Sequence, residues 1–371
     1  MPYLGMDNVR ELSFGDATVW NIESASDRIT SDAVRTKVKL LLGLYRRASH
    51  NPAKAAPLSG VGVLTTGPAD QRPLTTRDWA ELHRLQRVLF LCCLAHNVRL
   101  HGPNAGHSIF TAENFDIVRQ TFTLDNEYIS EQIGTIVSMT LMGYKLDETV
   151  FATPADVPRP LRFACDDDLL RELRRLRRTD PLLLRRILDA TEVFRSSYYN
   201  SRSLGIPARV LLQAAAFEVL LDLPDKDQRR TFKDAVERLL NSHAERRFAY
   251  KYQVHASRKT EVRSVKGIWA DRFYTLRNHL IHGETILPGE FTFRAAQHHL
   301  VVAPMVFVVA VKGLIDESRA ARRQPPVSDV KLAWHLPPAG GAPHEDGDVG
   351  FRVDTDYRPL LRRAQGRRRR R

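Results

Sequence analysis

The chain has 371 residues, of which 43% are apolar, and carries 56 Lys+Arg against 43 Asp+Glu, a formal charge of +13. That length suits two domains of ordinary size, each with its own core. Cys92, Cys93 and Cys165 are the only cysteines. They form no CxxC pair and no disulfide framework, which argues against a structural zinc site and fits the reducing cytoplasm.

The opening residues, "MPYLGMDNVRELSFGD", lack the basic-then-apolar order of a signal peptide. The longest apolar run, residues 300–311, spans 12 residues and contains a proline. A membrane span needs about 20, so this run reads as a core helix. Much of the charge is local. The last 21 residues hold nine Arg and two Asp, a charge of +7, which leaves +6 for the other 350. Such a tail is either an arm that raises affinity for RNA or DNA by counterion release or a disordered end that aids solubility.

Residues 1–160 read as a mixed α/β domain, with a sensing or regulatory part as its expected role. Apolar periodicity predicts helices over 32–47 and 76–100. The runs "FDIVRQTFTL" and "TIVSMTLMGYKL" are rich in β-branched and aromatic residues and predict strands. The histidine-rich "HNVRLHGPNAGH" at 96–107 matches no metal-ligand spacing and reads as a loop after a helix. Three prolines in "FATPADVPRPLRF", residues 151–163, mark a linker or domain boundary.

From residue 166 the pattern is helical only. "DDDLLRELRRLRR" starts acidic and ends basic, as the helix dipole favours; Leu169, Leu173 and Leu176 form its apolar stripe. A second helix follows Pro181, a third covers 207–223, a fourth runs from about Lys226 to His255, and a sixth spans about 290–317. The expected class is therefore α+β, with an all-α bundle over 166–320 behind the mixed domain. Residues 337–350 read as a flexible linker within a disordered segment, 336–371, that ends in the arginine tail.

The fifth helix, "GIWADRFYTLRNHLIHG", carries the polar cluster. At 100° per residue, Trp269, Phe273, Leu276 and Leu280 form one stripe towards the core. Asn278 and His282 share a face roughly opposite, Arg277 lies on the flank between, and Gly283 stands where a left-handed cap ends the helix. Ile281 is apolar but off the stripe, which suggests that this face meets something else, such as a second copy. The plainest reading is that these polar groups tie the helix end into the bundle.

"LRNHLIHG" resembles the Arg-Asn-x3-His signature of HEPN domains, in particular the Apea-like group; the matching residues are Arg277, Asn278 and His282. Spacing alone decides nothing, because five Arg–His pairs in this chain have four to six residues between them. The Asn after the arginine, the closing glycine and the flanking helices single out this pair. "RVLLQAAAFEVLLDL", with Glu218 set into an apolar run, resembles the family's second core helix. The likeness covers roughly 175–320.

The resemblance implies a helical bundle and a metal-independent endoribonuclease without cofactor, whose site is completed across a homodimer through the 277–282 face. Its product would be a 2′,3′-cyclic phosphate end. RNA brings its own nucleophile, the 2′-hydroxyl. Histidine at 282 can move the proton, arginine at 277 can hold phosphate charge, and asparagine at 278 can bind phosphate or orient the histidine. His279 and Glu218 are expected in support, the latter as a partner for Arg277. The role implied is an RNA-cutting toxin or antiphage effector, with RNA and an antitoxin or regulator as partners and no membrane. The alternative is an inactive HEPN module that dimerises or binds RNA or nucleotide.

Overall fold

The computed structural model describes residues 1, 3–6, 9–43, 45–46, 62–66, 74–101, 111–122, 128–133, 137–142, 151–152, 161–199, 204–240, 250–253, 260–293 and 298–322. The chain is α+β and mostly helical. It forms two compact units, Met1–Ala216 and Phe217–Arg371. The linker and arginine tail expected at 336–371 lie outside the described residues.

In the first unit β1 is Leu4–Gly5, β2 Glu11–Phe14 and β3 Ala17–Asn21, followed by α1 (Ile22–Asp27), α2 (Asp32–Gly43), β4 (Tyr45–Arg46) and β5 (Gly62–Thr66). Strands β2, β3 and β5 form an antiparallel sheet in the order 2-3-5, with Phe14 opposite Ala17 and Val19 opposite Leu64. A two-residue turn joins β2 to β3, and Gly15 takes the left-handed conformation there, φ 68°. Leu12, Phe14, Ala17 and Val19 are buried.

Helix α3 (Thr76–His101) is the core of this unit. Every residue from Val88 to Ala95 is buried, and so this helix shows no polar side there. The predicted strands appear as β6 (Val118–Phe122) and β8 (Val137–Met142), with β7 (Tyr128–Ile133), which the sequence pattern did not single out, between them in a meander. Short parallel pairs join β1 to β10 (Leu161–Arg162) and β4 to β9 (Phe151–Ala152).

Packing continues through the stretch expected to divide domains. α4 (Asp167–Thr179) and α5 (Pro181–Ser196) lie against α3. Arg87 of α3 reaches Asp189 at 3.1 Å and Glu192 at 3.3 Å, and the Asp166 N–H donates to the Cys92 carbonyl at 3.1 Å. Asp166 and Asp180 cap α4 and α5 through their side chains, and Pro181 opens α5 as predicted. The two units divide inside α6 (Ile206–Leu221).

The second unit holds the end of α6, then α7 (Gln228–Leu240), β11 (Tyr250–Gln253), β12 (Thr260–Arg263), α8 (Val265–His282) and α9 (His299–Ala320). Two expectations fail here. α7 is described to Leu240, and residues 250–253 of the stretch expected to continue as helix to His255 form a strand instead. The unit is not all-α, because β11 and β12 pair antiparallel, Tyr250 opposite Arg263. The segment "YKYQ" alternates with period 2, a strand pattern that a continuous helix cannot use. α9 also starts later than expected, after a 3-10 turn at Pro288–Phe291.

The core of this unit is aromatic. Phe217 meets Phe232, Phe273 and Phe307 with ring centroids 5.3, 6.0 and 5.6 Å apart, and Trp269 stacks on Phe273 at 4.9 Å. α9 is long and apolar enough to cross a membrane, and most of it is buried in this core. A charge network ties α7 to α8: Arg229 grips the buried Asp271 with two hydrogen bonds, 3.0 and 2.9 Å, and Lys233 stands 3.6 Å away.

Candidate functional site

Helix α8 presents the cluster because both of its ends are fixed. At the start, Ser264 accepts from the Gly267 N–H at 3.1 Å, and Glu237 of α7 accepts from the Ser264 N–H at 2.9 Å. At the finish, Gly283 adopts φ 68° and the Glu284 N–H donates to the His279 carbonyl at 3.0 Å, so the helix closes in a Schellman turn as its glycine predicts. Between the two ends Trp269, Phe273 and Leu276 are buried as expected, while Leu280 is only half-buried.

Arg277 turns towards α6. Its guanidinium meets Glu218 Oε1 at 2.8 Å, the pairing expected from the sequence, and its other terminal nitrogen donates to Asn278 Oδ1 at 3.1 Å. The Tyr274 ring lies beneath it, 5.2 Å from Cζ. Among the described residues two of the five guanidinium N–H groups are used, which leaves three that an anion could take. Arg277 and Glu218 are each about one-fifth exposed.

Tyr274 was not expected to take part. Its hydroxyl stands 2.9 Å from the same Glu218 oxygen and 2.7 Å from Gln228 Oε1 of α7. One phenolic proton serves one acceptor. The carboxylate is the stronger, so the Gln228 amide turns its NH2 to the phenol. Burial, and then Glu218, raise the phenol's pKa and keep it protonated. The signal available in the sequence was spacing: residues 274 and 277 are three apart, hence neighbours on a helix.

His282 sits in the last turn, exposed, and among the described residues nothing bonds its ring. It lies five positions beyond Arg277, about 7.5 Å along the axis and about 140° around it. The structure therefore does not bring the two onto one face of a single copy. His279 is bonded elsewhere: its Nδ1 lies 3.0 Å from Glu290 and its Nε2 3.7 Å from Glu284. The other Glu290 oxygen accepts from the Leu287 N–H at 3.2 Å. His279 thus fastens the segment after α8 to the helix. Ile281 and Leu287 are exposed on this end, 50% and 59%.

Among the described residues no three His, Cys, Asp or Glu side chains converge as metal ligands. α3 runs to His101, so residues 96–101 of the histidine-rich stretch continue the helix rather than form a loop, and residues 102–107 lie outside the described residues. Comparison with known protein families, characterised proteins and solved structures finds no match to this chain.

Proposed function

We propose that the second unit is an endoribonuclease of HEPN type that works without metal. Its bundle carries the family's motif on α8, and two copies meet through the 277–282 face, so that Arg277 of one and His282 of the other act on one phosphate. His282 moves the proton of the 2′-hydroxyl or of the leaving oxygen; Arg277 holds the charge of the phosphorane, and Asn278 keeps the guanidinium in place. The protein acts in the cytoplasm as a toxin or defence effector, with the first unit, and an antitoxin or other regulator, restraining it.

The observation that carries this reading is the state of the two key groups. Arg277 is held on one edge with donors left over, and His282 stands exposed at a capped helix end. A single copy separates them by about 140°, which a second copy can remedy. The exposed Ile281 supplies an apolar contact for it. One observation favours the competing reading of an inactive dimerisation or RNA-binding module: Arg277 already has a carboxylate partner in Glu218.

The test is incubation with total RNA in EDTA beside Arg277→Ala and His282→Ala, with end-group analysis and sedimentation. Cyclic-phosphate ends that vanish in both variants while the dimer persists establish the enzyme. RNA bound but left intact by the wild type, with or without either substitution, establishes the binding module.

A further inference from the structure

The hydroxyl of Tyr274 is not needed for packing. Its ring lies in an aromatic core beside Phe232, with centroids 5.4 Å apart, where a phenylalanine fills the same volume. Both partners of that hydroxyl are polar side chains set into the bundle from other helices, Glu218 of α6 and Gln228 of α7. Glu218 Oε1 receives the phenol at 2.9 Å and Arg277 at 2.8 Å, so one oxygen couples the two.

We propose that Tyr274 is a positioning residue that holds Glu218, and through it the Arg277 guanidinium, in the orientation that meets a phosphate. The proposal rests on the nuclease reading above. A glutamate side chain has three torsions and a guanidinium is carried on four. An ion pair between two such groups, about one-fifth exposed, swings unless something rigid anchors it. The phenol is that anchor: the residue is 1% exposed, its side chain has two torsions and it is locked by its neighbours. The Arg277 Cζ also lies over this ring, 5.2 Å from its centroid, which limits movement of the guanidinium on that side. Gln228 completes the chain by fixing the phenol from α7, giving the series Gln228–Tyr274–Glu218–Arg277–Asn278 over three helices.

The experiment is a double-mutant cycle on kcat and KM with a fluorophore-labelled single-stranded RNA in EDTA, using the full chain, Y274F, E218Q, Y274F/E218Q and R277A, each checked by thermal melting. Y274F is expected to lower kcat about tenfold with KM within about twofold, as suits an interaction felt in the transition state. In the E218Q background the same change should cost less than about twofold, because its route runs through Glu218. A core residue would instead give additive losses. If Y274F keeps the wild-type kcat, or costs the same in both backgrounds while R277A abolishes cleavage, the positioning role is overturned and the nuclease reading stands. If the wild type does not cleave, or R277A cleaves as well as it does, the nuclease reading falls and this proposal with it. Should Y274F fail to fold, Q228L replaces it in the cycle, with the same non-additivity expected.

Discussion

His299 should make the second unit lose stability between pH 7 and pH 5, and His299→Leu should remove that loss. The imidazole is 1% exposed at the start of α9 and lies among the rings of Trp269, Phe273 and Phe293, 5.8–6.3 Å between centroids. Among the described residues its Nδ1 has no hydrogen-bond partner. Burial above all, then the positive charges of His298 and Arg272, push its pKa down to about 3. In the unfolded chain the group titrates near 6.5. Between these values the unfolded state binds a proton and the native state does not, so stability falls as pH falls through the window. At pH 5 the gap of about 1.5 units above the solution pH amounts to about 2 kcal/mol. Urea unfolding of wild type and His299→Leu at pH 7, 6 and 5 reads this directly. The wild type should lose about 2 kcal/mol more than the variant over that range. Parallel curves would refute the claim that this histidine is buried neutral.

Two further substitutions probe the supports of α8. Asp271→Ala removes the buried carboxylate that Arg229 grips and that Lys233 approaches, and leaves Lys233 with Glu261 at 2.8 Å. Arg229 is 31% exposed and regains water, so the cost should sit at the lower end for a broken buried pair, about 3 kcal/mol, read as a drop in melting temperature of about 10 °C; a shift under about 2 °C would show that the network is not holding the helix. Gly283→Ala meets no atom within 4 Å, so its cost is purely that of φ 68° for an L-residue, about 1 kcal/mol in urea unfolding, partly recovered by Gly283→Asn. An unchanged midpoint would mean that the helix does not end in a left-handed cap.

The helix-bearing parts of the fold were open to sequence reading because their signals are local. Pro181 opens α5, Gly283 closes α8, and the spacing of Trp269, Phe273 and Leu276 faces α8 to its core, all as predicted. The pairing of Glu218 with Arg277 was also legible, since a lone carboxylate in an apolar helix needs a partner. Local signals failed where a run could satisfy more than one element. The segment after Leu240 reads as continued helix, yet Tyr250 and Tyr252 alternate in a strand that pairs with another that periodicity does not reveal. The prolines of 151–163 suggest a linker or a domain boundary, while α4 and α5 pack on α3 beyond it.

Chain chemistry by itself determined the end of α8, its buried stripe and the presence of Arg277, Asn278 and His282 on one short segment. Only the tertiary structure decided what those groups touch. It turned Arg277 to Glu218, inserted Tyr274 and Gln228 behind that pair, engaged His279 with Glu290 and left His282 exposed. The physical reason is that periodicity is a property of a helix and its own face. A hydrogen bond to another helix depends on how the helices pack, and that is settled only when distant segments bury their apolar stripes together.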